Sequence, residues 1–220
     1  MGRVSARRRG TGSASGSRAR TRARSTASPR PRRAHAAVGP RGAAAPVPAR
    51  RHAHARPAPA PVGCAVLTVS DTRSARRDPG GDGIARLIER AGHRVVRRAW
   101  TPDDVGAIRA AARAALADRR VDAVIATGGT GMAPRDVTPE ALAPLAGRLF
   151  PGFGERFRAI SQRDVGSAAW LSRAGAGAAR GKLLFWLPGS PAGANLAVRE
   201  LILPELGHAL RLLGRISTKE

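Results

Sequence analysis

Blocks of apolar residues alternate with polar turns along the chain from residue 64 onwards. Residues 64–69 (CAVLTV) form a continuous apolar run with β-branched side chains, as is typical of a strand buried on both faces. Residues 84–92 show apolar positions at helical spacing and end in a glycine, which predicts a helix and its C-terminus. Residues 94–100 predict a second strand, residues 101–120 a helix that opens with a proline and two aspartates, and residues 121–126 a third strand.

The remaining chain follows a less regular pattern. A glycine-rich loop follows the third strand, and residues 151–162 (PGFGERFRAISQ) predict a short helix. Residues 168–177 and 182–187 are expected to pair as strands, and a long helical stretch follows, bent or interrupted at Pro204. Strands that alternate with helices predict an α/β fold with three layers, α/β/α, around a mostly parallel, mixed sheet.

Three polar segments each follow an apolar run: SDTR, TPDD and TGGTG. In open α/β sheets, ligands bind beyond the carboxyl ends of the strands. We therefore expect these three segments to meet in one site.

The glycine loop at residues 127–131 (TGGTG) has the character of an anion site. Successive backbone N–H groups between a strand and a helix, joined by threonine hydroxyls, suit phosphate. The loop matches neither the P-loop nor the dinucleotide-binding spacing. A tight structural turn is the alternative interpretation.

Asp136 follows the glycine loop and precedes a helix start at Thr138 and Pro139, where the threonine is expected to cap. A carboxylate beside a phosphate site repels phosphate unless a cation intervenes. Mg²⁺ binds to one or two carboxylates together with phosphate oxygens and water. Asp103 is a candidate for the second carboxylate, although it is also placed to cap its own helix.

Further candidate anion contacts lie elsewhere. Gly189 and Ser190 in LPGSP offer a second cluster of N–H and hydroxyl groups, or a structural turn. Arg73 and Arg135 are candidate phosphate partners because guanidinium matches phosphate well. The five histidines show no metal-ligand spacing.

Charge divides the 220 residues into two parts. The formal net charge is +24, and residues 1–60 carry fifteen arginines with no lysine or acidic residue. We predict that residues 1–61 are a disordered tail and linker. They hold few large apolar side chains, and burying these would not offset the conformational entropy lost on ordering. The tail suits contact with nucleic acid or another anionic surface, resembles a transit peptide in composition, or has no selected role. Residues 62–214 are the predicted domain, and residues 215–220 a C-terminal tail.

The sequence also restricts the compartment. No segment approaches the roughly 20 apolar residues that cross a bilayer, and the single cysteine, Cys64, lies inside an apolar run and predicts a buried thiol. These features favour a reducing, cytoplasmic setting without a membrane partner.

Six segments follow one another over roughly residues 62–214: LTVSDTR, PDD, TGGTGMAPRDVTPEAL, PGFGERFR, AAWLSRAGAG and LPGSPAGANLAVRELILPELGHAL. Together, in this order, they resemble the MoaB/MogA family of molybdenum cofactor biosynthesis proteins. The opening VSDTR and the ending LILPELGH resemble the MoaB branch more closely.

The resemblance implies a molybdopterin-binding domain, usually trimeric or hexameric, that adenylylates molybdopterin with ATP and Mg²⁺ and releases pyrophosphate. It implies that Asp103 and Asp136 are catalytic and are the residues that hold Mg²⁺. The positions that match pterin- and nucleotide-binding segments are Ser70, Asp71, Thr127, Gly128, Gly129, Thr130, Gly131, Arg135, Pro188, Gly189 and Ser190.

Two other functions stay open at this point. One is a molybdopterin-binding or carrier protein of the same pathway that lacks turnover, in contact with other proteins of that pathway. The other is a nucleic-acid-associated protein that acts through its arginine-rich tail.

Overall fold

A computed structural model describes residues 60–72 and 77–216. Its centre is a six-stranded sheet in the order β2-β1-β3-β6-β5-β4. The strands are β1 (Gly63–Val69), β2 (Arg94–Thr101), β3 (Ala123–Thr127), β4 (Arg148–Leu149), β5 (Gly175–Ala179) and β6 (Lys182–Leu187). The helices are α1 (Pro79–Arg90), α2 (Val105–Ala117), α3 (Thr138–Leu142), α4 (Pro151–Val165), α5 (Pro191–Ala197) and α6 (Leu203–Leu212).

The sheet is mixed, and its parallel half holds the predicted site. Strands β2, β1, β3 and β6 run parallel, whereas β5 pairs antiparallel with β6 and β4 antiparallel with β5. Every residue of β1, β3 and β6 is buried, as the apolar runs predict for strands covered on both faces. The predicted α/β class with a mostly parallel sheet is confirmed.

Two apolar clusters lie on opposite faces of the sheet and complete the three layers. Helices α1, α4, α5 and α6 pack on one face, with Ile84, Phe157 and Leu206 among the buried side chains. Helices α2 and α3 cover the other face through Ile108 and Leu142. The helices on both faces bring several helix N-termini to the carboxyl ends of the parallel strands.

One predicted strand is wrong in part. Residues 168–171 belong to a 3₁₀-helix, Gly166–Leu171, and the strand begins only at Gly175. The side chain of Trp170 is 69% exposed, so this segment does not enter the sheet. The sequence Ala-Ala-Trp-Leu is apolar enough for a strand, but no neighbouring strand extends far enough to pair with it.

The long helical stretch, expected to be bent or interrupted at Pro204, is interrupted just before that residue by a change of helix type. A π-helical segment, Val198–Ile202, joins α5 to α6, and the proline occupies the first turn of α6. A proline lacks the N–H that an uninterrupted α-helix would use at this point, and the wider π turn accommodates its ring.

The predicted tail lies outside the described residues apart from Ala60 and Pro61. At the other end of the domain, the Arg215 side chain donates to the Asp122 carboxylate at 2.9 Å and to the backbone oxygen of Arg119 at 2.8 Å. Within the described part of the chain, no helix is both long enough and apolar enough to span a bilayer.

Candidate functional site

The carboxyl ends of β1, β3 and β6 meet at the glycine loop. The Gly128 N–H donates to the backbone oxygen of Leu187 at 3.0 Å, at the end of β6. Gly128 has φ 107°, and a Cβ atom at this position would lie 2.1 Å from the backbone oxygen of Val69. Only glycine combines that backbone angle with that approach.

The three polar segments meet as expected, in a depression of about 240 Å³ that we call the carboxylate pocket. It contains three carboxylates, from Asp71 after β1, Asp103 after β2 and Asp136 after the glycine loop, with Arg135 beside them. The other lining residues are Val69, Ser70, Thr72, Gly128, Gly129 and Gly189.

Asp103 is the most unusual group in this pocket. Its Oδ1 atom is buried and has no hydrogen-bond partner, while its backbone N–H donates to Asp71 Oδ1 at 3.1 Å. Burial raises the pKa of the Asp103 carboxyl, and the nearby charges of Asp71 and Asp136 raise it further, against the opposing effect of Arg135. A buried carboxylate oxygen without a donor is in an environment that a cation would improve.

The alternative that Asp103 caps its helix does not hold. The neighbouring Asp104 is the N-cap of α2, and its side chain accepts the Ala107 N–H at 2.7 Å. Asp103 therefore does not supply the side-chain cap at the start of α2, and it lines the pocket together with Asp71 and Asp136.

Asp136 is held by the loop that it ends. Its Oδ2 atom accepts the Ala133 N–H at 3.0 Å, and a Cβ atom at Gly131 would lie 2.7 Å from the same oxygen. The prediction that Thr138 caps α3 is wrong. Its hydroxyl instead donates to the backbone oxygen of Gly128 at 2.8 Å. That bond closes the loop across its base.

Among the described residues, no group of three or more His, Cys, Asp or Glu side chains is arranged to hold a metal by itself. The donor set nevertheless fits a hard cation that takes part of its coordination from a ligand. The fit rests on the unpaired oxygen of Asp103, whose neighbours in the same pocket are the carboxylates of Asp71 and Asp136.

A second depression of about 470 Å³, the apolar pocket, adjoins the first and shares Gly189 with it. Its lining comes from Thr130 and Gly131, from α4 with the following 3₁₀-helix, and from residues 188–190 with α5. Phe157 is buried in its wall, whereas Val165 and Leu171 are exposed. A lining that is mainly apolar, with a few polar side chains, suits the faces of a flat ring system.

The predicted site residues divide between the two pockets, except for Thr127, which lines neither. Ser70, Asp71, Asp103, Gly128, Gly129, Arg135 and Asp136 line the carboxylate pocket, and Thr130, Gly131, Pro188 and Ser190 line the apolar pocket, with Gly189 in both. Arg73 lies outside the described residues.

Two of these residues have structural bonds. Thr127 is fully buried, and its hydroxyl donates to the backbone oxygen of Pro188 at 2.7 Å, so that hydrogen is not available to a ligand. Ser190 caps α5 by accepting the Gly193 N–H at 3.3 Å. Both bonds fix the Pro-Gly-Ser turn next to the glycine loop.

Sequence reasoning missed the contribution of α4 and the 3₁₀-helix to the apolar pocket. Nothing in the sequence pattern indicates that Val165 and Leu171 line a cavity. It also missed Arg173, which contacts the glycine loop.

Comparison with known proteins gives a consistent result. Residues 65–208 match the family described as "Probable molybdopterin binding domain". Molybdenum cofactor biosynthesis protein B of Bacillus subtilis (strain 168) is 44% identical over 151 residues, which is 68% of this chain and 89% of that protein.

Two crystal structures extend the similarity to the fold. A structure of a molybdenum cofactor biosynthesis protein B is 42% identical, with a TM-score of 0.70, and the match covers 72% of this chain and 99% of that one. The tungsten cofactor synthesizing protein MoaB from Pyrococcus furiosus is 35% identical, with a TM-score of 0.65 and coverage of 72% and 99%.

Proposed function

Because the chain belongs to the MoaB/MogA family of molybdopterin-binding domains, we propose that it binds molybdopterin and adenylylates it with Mg-ATP in molybdenum cofactor biosynthesis. The observation that carries the proposal is the buried, unpaired oxygen of Asp103, in a carboxylate pocket that adjoins an apolar pocket through Gly189. The trimer or hexamer that the family resemblance implies stays a prediction.

The two pockets suit the two ends of the reaction. The volume of the apolar pocket supports binding of a pterin ring, whose faces would contact the apolar residues and whose polar edge would meet Thr130, Asp164 and Ser190. The glycine loop lies between this pocket and the carboxylate pocket, where ATP phosphates would bind. The terminal phosphate of the pterin would then approach the nucleotide beside Gly189, which lines both pockets.

The proposed reaction is a displacement at phosphorus. An oxygen of the molybdopterin phosphate attacks the α-phosphorus of ATP and forms a new P–O bond. The bond from the α-phosphorus to the oxygen that bridges to the β-phosphate breaks, and pyrophosphate leaves with its electron pair. No net proton transfer is needed, so catalysis requires position and charge neutralisation.

The residues of the chain divide this work. The carboxylates of Asp103 and Asp136 would hold Mg²⁺, which when bound neutralises phosphate charge. The N–H groups of the glycine loop other than that of Gly128, which bonds Leu187, would donate to phosphate oxygens, and Arg135 would add a guanidinium at the exposed side of the pocket.

A label-transfer experiment tests the proposal. With molybdopterin and Mg²⁺, label from α-labelled ATP is expected in the pterin product, and label from γ-labelled ATP is expected in pyrophosphate. Transfer of the γ-label to the pterin with formation of ADP would contradict adenylylation, because the attack would then be at the wrong phosphorus. Saturable molybdopterin binding without movement of either label would indicate a carrier without turnover.

A further inference from the structure

Arg173, between the 3₁₀-helix and β5, is fixed through its own backbone. Its N–H donates to the backbone oxygen of Thr130 at 3.1 Å, and its backbone oxygen accepts the Trp186 indole N–H at 3.1 Å. Trp186 is only 5% exposed, and Gly175 leaves space for its ring, since a Cβ there would lie 2.5 Å from it. The backbone of Arg173 is therefore anchored to the sheet through β6 and to the glycine loop through Thr130.

The guanidinium of Arg173 reaches three points around the glycine loop. Nε donates to the backbone oxygen of Gly131 at 3.0 Å, and Nη2 donates to the backbone oxygen of Asp136. Nη1 pairs with the carboxylate of Glu140 in the first turn of α3. A planar group with donors at fixed angles is suited to hold three acceptors in one arrangement.

These contacts span the segment from Gly131, at the end of the glycine loop, to Asp136, and this segment runs from the apolar pocket to the carboxylate pocket. Gly131 lines the apolar pocket, and Asp136 lines the carboxylate pocket. In a trans peptide the N–H points opposite to the C=O. The carbonyls of Thr130, Gly131 and Asp136 that bind Arg173 therefore turn the following N–H groups away from it.

We propose that Arg173 is a positioning residue that sets the conformation of the loop from Gly131 to Asp136, and through it the place of the Asp136 carboxylate. This inference rests on the proposed function for its kinetic consequence. The antiparallel hairpin of β5 and β6 thus contributes to a site that lies at the end of the parallel strands.

The test compares Arg173→Met and Arg173→Lys with Arg109→Met as the matched control. Arg109 also donates to backbone oxygens of the α3 segment, those of Ala141 and Glu140, but to none in the loop. Lysine keeps the charge opposite Glu140 but lacks the three-point geometry.

We expect both Arg173 variants to exchange the Asp136 and Thr138 amide hydrogens at least ~10-fold faster than the wild type, while amides of β1 and β3 are unchanged. We expect kcat for adenylyl transfer to fall about 10- to 100-fold, with the KM for molybdopterin changed by less than about threefold. The Arg109 variant should match the wild type in exchange and in kcat.

Loop exchange and kcat equal to wild type in Arg173→Met would overturn the inference, as would full recovery of both in Arg173→Lys, which would assign the effect to charge alone. If the methionine variant does not fold, the lysine variant decides in the same way. If the wild type transfers no adenylyl group, the proposed function fails, and the exchange comparison still decides whether Arg173 fixes the loop.

Discussion

Asp103→Asn is expected to lower adenylyl transfer at least ~100-fold and, without divalent cations, to raise the melting temperature of the protein. Activity falls because the amide cannot supply the negative charge that the proposed cation needs. Stability rises because one oxygen of the half-buried carboxylate is itself buried and unpaired near two other carboxylates, and the amide carries no charge there.

The sign of the pH dependence follows from the raised pKa of Asp103. The Asp103 carboxyl keeps its proton to a higher pH in the folded state than in the unfolded state, where its pKa is 3.8. The free energy of unfolding therefore falls as the pH rises from 3.8 through the folded-state pKa. The advantage of the asparagine variant should therefore grow between about pH 4 and pH 7. The difference in melting temperature between the variant and the wild type, measured in EDTA at both pH values, tests this. Added Mg²⁺ should raise the melting temperature of the wild type more than that of the variant.

Glu89→Gln is a control for the loss of one carboxylate, since Glu89 is exposed on the last turn of α1. It should change neither activity nor the pH dependence. An asparagine variant at position 103 that is as active as the wild type, or less stable than it at neutral pH without cations, would contradict the account of this site.

Gly128→Ala is expected to lower the free energy of unfolding by about 2–4 kcal/mol and to remove most activity. The methyl group would lie 2.1 Å from the backbone oxygen of Val69, and the backbone angle of φ 107° is strained for alanine. The clash is relieved only if the glycine loop moves away from β1. That movement would displace the loop residues that line both pockets.

The matched control for the glycine substitution is Gly147→Ala. A Cβ at Gly147 meets nothing within 4 Å, and the residue is not among those with positive φ. Urea unfolding should show a change of less than about 1 kcal/mol for this variant. Equal losses in the two variants would mean that the contact with Val69 does not constrain the loop.

The parallel half of the fold could be predicted from the sequence because β1, β3 and β6 are buried on both faces and their apolar runs end in polar segments. The meeting of Asp71, Asp103 and Asp136 follows from the rule that parallel strands bring their carboxyl ends to one edge. The antiparallel half of the sheet was harder to predict from the sequence. The apolar letters of residues 168–171 fit a strand and a 3₁₀-helix equally well, and only the extent of the neighbouring strands decides between them.

The site could be predicted only as far as local patterns determine roles. Two adjacent aspartates before a helix both fit a cap, and the geometry that assigns the cap to Asp104 and leaves Asp103 in the pocket depends on the approach of β1. Arg173 is one of 39 basic residues, and its role depends on contacts with Gly131 and Glu140, more than 30 positions away in the chain.

The most direct test of the central claim is pyrophosphate release from Mg-ATP with and without molybdopterin, for the wild type, Asp136→Asn and Glu89→Gln. The account predicts release that requires molybdopterin and Mg²⁺, that is retained in Glu89→Gln and that falls at least ~100-fold in a folded Asp136→Asn protein. Release that does not depend on molybdopterin, or that is undiminished in Asp136→Asn, would contradict it.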